Sequence, residues 1–253
     1  VLIPREHGAY GQLLFPLFSA LLIGHPAAGA YLLGGAAVAA FLAHESLLVV
    51  LGQRGKRALR EQGSDARRSL ALFGGFCLVT GIVAWLVLPR AALVSLLIPC
   101  SLAAVVVGLV VRHRERSTGG EVLVAAALSS TSVPVALAGG VPLMSALTLF
   151  LVFTSAFVTA TVAVRALIAR VGRVNGPRPA TAAALAVGAV ALLALAASIG
   201  RLASVAPYAA LPVCLVALGL TAKPPALRYL RAIGWTLVGA TALTAVLLVA
   251  ALA

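Results

Sequence analysis

The chain has 253 residues, of which 62% are hydrophobic and 10% charged, and its formal net charge is +13. A soluble domain carries about a quarter charged residues, so a soluble core of this size cannot hide the apolar excess, and lipid must cover much of it. The positive charge does not point to nucleic acid: it sits in short stretches between apolar runs, where it orients a membrane protein and meets anionic lipid headgroups.

A membrane span needs about 20 apolar residues. In chain order the runs that meet or approach this are Ala9–Gly24, Ala27–Leu51, Ser69–Leu88, Ala91–Val111, Glu121–Gly140, Pro142–Val164, Ala180–Gly200, Leu202–Ala222 and Ala232–Leu252. The first is short. The separators carry Gly, Pro or charge, as in Gly24-His25-Pro26, Leu88-Pro89-Arg90 and Gly139-Gly140-Val141-Pro142. Several runs are rich in Ala and Gly, which lets helix backbones approach closely in lipid. The longest polar stretch, from about Gly52 to Arg68, is too short for a soluble domain, so residues 1–253 read as one polytopic all-α membrane domain. Pro4-Arg5-Glu6-His7, running into a long apolar stretch, does not read as a cleavable signal.

On a path of nine helices, 17 of the 19 Lys and Arg residues fall on one side, and only Arg90 and Arg201 fall on the other. Positive residues mark the cytoplasmic face, so the expected N-terminus is inside and the C-terminus outside, in a bacterial cytoplasmic membrane. All six acids and three of the four histidines, His7, His44 and His113, share the cytoplasmic side. Trp85, Tyr229 and Trp235 stand at run ends and fit aromatic belts.

The chemistry available is sparse. Arg5, His7, Tyr10 and Gln12 crowd hydrogen-bonding groups, with Gly8 and Gly11 beside them, into the start of the first helix. They read either as ligand-binding groups or as a polar helix cap in the headgroup zone. His44-Glu45 lies seven residues before Gly52, roughly 10 Å inside the second helix at 1.5 Å per residue. Ionisable groups at that depth face a partner or a wet cavity, which makes this pair the candidate catalytic residues; the alternative is a helix that ends early and leaves both at the interface, against which the apolar run Leu47–Leu51 argues. Most of the charge between Arg54 and Arg68 serves topology and lipid contact, but Arg67-Arg68 could clamp a phosphate, because guanidinium forks match phosphate oxygens. Thr118 and Glu121 have capping-box spacing. Arg165 and Arg170 after the sixth run, with Arg228 and Arg231 before the ninth, add positive charge to the same face.

Cys77, Cys100 and Cys214 lie within apolar runs without a CxxC pair, so they read as small core residues; no metal site is expected. No nucleophile motif, phosphate-binding loop, HExxH or dinucleotide fingerprint appears, and no cofactor can be named.

The opening Pro4-Arg5-Glu6-His7-Gly8-Ala9-Tyr10-Gly11-Gln12-Leu13-Leu14-Phe15-Pro16-Leu17 resembles the start of the YwiC-like family of bacterial membrane proteins. Arg112–Glu121 and Leu227–Trp235 are also similar to that family. The resemblance implies a membrane topology but no reaction. A more distant resemblance is to UbiA-type intramembrane prenyltransferases, which have nine helices, an inside N-terminus and working loops after helices two, four and six. Those enzymes hold magnesium diphosphate with two aspartate-rich motifs. The corresponding regions here read His44-Glu45-Ser46-Leu47-Leu48 and Val164-Arg165-Ala166-Leu167-Ile168-Ala169-Arg170. A magnesium site wants several convergent oxygen ligands, so magnesium-dependent prenyl transfer is not expected even on a shared fold.

The expectation is a cavity open to the cytoplasm, lined by Arg5, His7, Tyr10, His44, Glu45, Arg67 and Arg68. It would bind an amphiphile with an anionic head, such as an isoprenoid phosphate or a quinone precursor, while His44 or Glu45 moves a proton or orients the ligand. Two rivals use the same residues: a proton-coupled transporter of small solutes, and a non-catalytic subunit or assembly partner of a membrane complex. The outer halves of the runs carry almost no polar residues, which weighs against a transport path.

Overall fold

A computed structural model describes residues 7–112, 114 and 117–253, with the side chain of His7 excepted. The elements are α1 (His7–Ile23), α2 (Ala28–Val50), α3 (Lys56–Val87), α4 (Arg90–Ser95), α5 (Leu97–Val111), α6 (Thr118–Ser130), α7 (Ser132–Ala138), α8 (Leu143–Gly172), α9 (Pro179–Ser198), α10 (Ala206–Ala222), a 3-10 turn (Leu227–Tyr229) and α11 (Leu230–Leu252). No strand occurs among the described residues.

Seven helical stretches are long and apolar enough to cross a membrane: α2, α3, α4 with α5, α6 with α7, α8, α9, and α11 with its 3-10 turn. The two other apolar helices, α1 and α10, have 17 residues each, which is about 25 Å at 1.5 Å per residue. Large apolar side chains point outward, as lipid contact requires: Leu86 is 76% exposed and Trp235 67%.

The Gly and Pro separators fall in turns, and these gather at two ends of the bundle. At one end the His25 N–H donates to the Gly139 carbonyl (3.0 Å), joining the turn before α2 to the turn after α7. The Ala203 N–H donates to the buried Thr148 Oγ1 (3.0 Å), tying the approach to α10 onto α8. At the other end Arg170 Nη1 donates to the Thr221 carbonyl (3.1 Å). Inside, α10 lies against α8, α9 and α11, and Ala163, Ala166, Ala209 and Ala217 are fully or almost fully buried. Such small side chains let backbones close up where lipid supplies no hydrophobic drive.

Four expectations are corrected. The polar stretch from Gly52 to Arg68 is no loop. The chain turns at Gly52 and Gly55, both with positive φ, and α3 begins at Lys56. Arg57-Ala58-Leu59-Arg60-Glu61-Gln62 is a run of strong helix formers, and Arg57 Nε bonds Glu61 Oε1 one turn on (2.7 Å), so α3 projects about 20 Å before its apolar part. Asp65 is therefore helical. Likewise α8 continues to Gly172, so Arg165 and Arg170 stand on its last turns. Next, the turn at His25-Pro26 does not lay α1 along α2: α2 pairs with α3 along its length and touches α1 only briefly, whereas α1 lies mainly against α11, α7, α6 and α8. Finally, only Cys214 is a core residue; Cys77 is half-buried and Cys100 exposed.

Two helices break where a proline intrudes. Leu96 separates α4 from α5, and Thr131 separates α6 from α7. Each stands three residues before a proline, Pro99 or Pro134, which lacks an N–H and crowds the carbonyl four residues back.

Gly24 stands close against the turn after α7. A Cβ there would stand 2.9 Å from the Gly139 carbonyl oxygen and 2.9 Å from Val141 Cγ2. Gly24→Ala is expected to cost about 2 kcal/mol through overpacking against backbone. A thermal melt in detergent should show a midpoint lower by about 4–8 °C. Gly219→Ala, whose Cβ meets nothing within 4 Å, is the control and should not fall.

Candidate functional site

The weak contact between α1 and α2 leaves a cavity of about 600 Å³, walled by α1, α2, α5, α6 and α7. Its walls are mostly apolar: Leu33, Ala37, Phe41, Ala103, Val106 and Leu128 line it. Both proline breaks face it, because Leu96, Pro99, Thr131 and Pro134 belong to its lining. Irregular backbone at membrane depth is tolerated where it lines a cavity or is buried in protein, so the breaks and the cavity account for each other.

The charged lining gathers at one end. Gln12 of α1, His44 and Glu45 of α2, Arg54 of the following turn and Glu121 of α6 all stand where the charged segments leave the bundle. Glu45 is held by Arg54 through two bonds, Nε to Oε1 (2.9 Å) and Nη2 to Oε2 (2.5 Å), with both side chains about one-fifth exposed. The turn at Gly52 and Gly55 folds Arg54 back over the last turn of α2 to make this contact. Glu121 is held by Arg165 in the same two-pronged manner, Nε to Oε2 at 2.9 Å and Nη2 to Oε1, which fastens α6 to α8. Paired forks of this kind fix orientation as well as charge. Tyr10 meets Phe41 edge to face, ring centroids 5.0 Å apart, and so closes α1 onto α2 beside the cavity.

Of the expected site residues, His44 and Glu45 line this cavity, and Tyr10 flanks it through Phe41. Arg67 and Arg68 stand on the exposed projecting turns of α3, outside the lining. Arg5 and the His7 side chain lie outside the described residues, as do His113, Glu115 and Arg116.

The structure adds residues that sequence reasoning placed elsewhere. In the sequence Arg54 reads as topology charge and Glu121 as part of a capping box. The cap of α6 is Ser117, not Thr118: its Oγ accepts from the Gly120 N–H (3.1 Å), and Glu121 turns away to Arg165. Pro99 and Pro134, inside apolar runs, were the available signal for the helix breaks.

Among known proteins, the family model described as YwiC-like protein matches residues 3–137, which takes in α1 to α6, all but the last residue of α7, the entire α1–α2 wall of the cavity, and both proline breaks. The Leu227–Trp235 stretch lies outside that match. No curated protein and no solved structure matches the chain. With more than half its length matched, the chain belongs to the YwiC-like family.

Proposed function

We propose that this protein crosses the bacterial cytoplasmic membrane nine times, N-terminus inside and C-terminus outside, and binds an amphiphile in the cavity beside α1. The carrying observation is the form of the cavity: apolar walls along α2, α5 and α6, with Glu45, Arg54 and Glu121 at one end. An amphiphile matches this, tail along the walls and head among Gln12, His44, Glu45 and Arg54.

The ion pairs narrow the head. A phosphate that captured Arg54 or Arg165 would strand Glu45 or Glu121, and removing one partner of a pair in a low-dielectric site is costly. A head that keeps both pairs balanced, neutral or zwitterionic, fits better than a bare isoprenoid phosphate; a neutral quinone precursor meets that condition. The plan is prenyltransferase-like in its nine spans and in its charged segments after the second, fourth and sixth. It lacks the metal motifs: Glu45 is engaged by Arg54, and Arg165 and Arg170 stand on the last turns of α8.

Two measurements test this. Reporters fused after Gly63 and Arg173 should report cytoplasm and one at the C-terminus the outside; a cytoplasmic C-terminus overturns the nine-span path. Native mass spectrometry from mild detergent should show an amphiphile adduct that persists in EDTA. A bare protein, or an adduct lost with EDTA, overturns the binding reading.

A further inference from the structure

A second cavity of about 520 Å³ opens on the other side of α1, between α1, α8 and α11. Phe15, Phe157, Leu237 and Val238 give it apolar walls, and Arg165 stands in its lining. Four residues line both cavities: Gly8, Gln12, Glu121 and Thr161. The two spaces therefore adjoin along the first turns of α1. Gly8, which lines both, contributes no side chain there, and a Cβ at its position would meet nothing within 4 Å. Two apolar arms thus straddle α1, and Gln12 and the Glu121–Arg165 pair stand where they adjoin, at the fork.

A single hydrocarbon chain fills one arm and leaves the other without its apolar partner. A ligand with two chains fills both from one head at the fork. The charge at the fork limits that head. Among the described residues, the two carboxylates and two guanidiniums that line the arms form two balanced pairs. A zwitterion can enter such a pair without stranding either member, its phosphate meeting Arg165 and its ammonium meeting Glu121. A net-anionic head leaves one carboxylate uncompensated.

We propose that the site takes an amphiphile with two hydrocarbon chains and a zwitterionic head, one chain on each side of α1. This rests on the amphiphile-binding reading above and names the class of ligand. The test uses delipidated full-length protein, titrated in detergent with dioleoyl phosphatidylethanolamine, its lyso form and dioleoyl phosphatidylglycerol, and read by native mass spectrometry. The diacyl ethanolamine lipid should bind at one equivalent, at least about tenfold tighter than the lyso form, because each buried methylene contributes. It should also exceed the glycerol lipid. Val238→Trp, filling only the α11 arm, should lower diacyl binding to the lyso level. Gly234→Leu, on the same arm and with open space at its Cβ, provides a second variant should the first fold poorly. Equal binding of the lyso form, two lyso equivalents, or a preference for the glycerol lipid overturns the two-chain zwitterion. Absence of all three adducts together with absence of any copurifying amphiphile overturns the binding reading itself.

Discussion

Arg165→Met is expected to destabilise the protein more than the double variant Glu121→Leu with Arg165→Met. The single change leaves the Glu121 carboxylate beside two apolar cavities without its partner, and a stranded charge loses its attraction while keeping its desolvation cost. The side chains are 34% and 39% exposed, so the full cost of a dry interior does not apply; about 1–3 kcal/mol is the appropriate scale. Replacing both partners by apolar groups removes the charge and recovers much of that loss. The readout is a double-mutant cycle on thermal midpoints in detergent, in which the coupling should shift the midpoint by several degrees. Additive effects of the two single changes would mean that the pair does not fasten α6 to α8.

Ala40→Trp should remove the copurifying amphiphile while leaving the fold intact. Ala40 is exposed, stands on α2 one turn before His44 and lines the larger cavity, so an indole there enters empty space rather than a packed core. Ala103→Trp, from the facing wall on α5, does the same from the opposite side. Occupancy by native mass spectrometry should fall by about tenfold or more, equivalent to about 1.4 kcal/mol of binding, with an unchanged melting profile of the empty protein. Undiminished adduct in both variants would place the ligand outside this cavity.

How much of this could be read from sequence follows the reach of each signal. The apolar runs and their Gly and Pro separators gave the helices and turns, because hydropathy is local and the length needed to span is a physical constant. The projecting end of α3 was misread since charge density resembles a loop; its helix propensity and the Arg57–Glu61 spacing were there to be weighed. His44-Glu45 stood out because ionisable groups inside an apolar run need a reason. Their surroundings did not: Arg54 returns to Glu45 only through a turn with two positive-φ glycines, and Arg165 meets Glu121 across 44 residues. Nothing local announces such a contact. The same holds for the brevity of the contact between α1 and α2, which depends on which faces the rest of the bundle covers.

The pairing of α2 with α3 has a mechanical consequence. α3 rests along α2 and its membrane stretch is only 11% buried, while α2 reaches the bundle mainly through α7 and a short contact with α1. The Glu45–Arg54 pair joins two residues of this hairpin. Elements with few contacts to the rest of a fold open at low free energy. An outward swing of this lightly held hairpin would connect the cavity directly with the hydrocarbon of the bilayer.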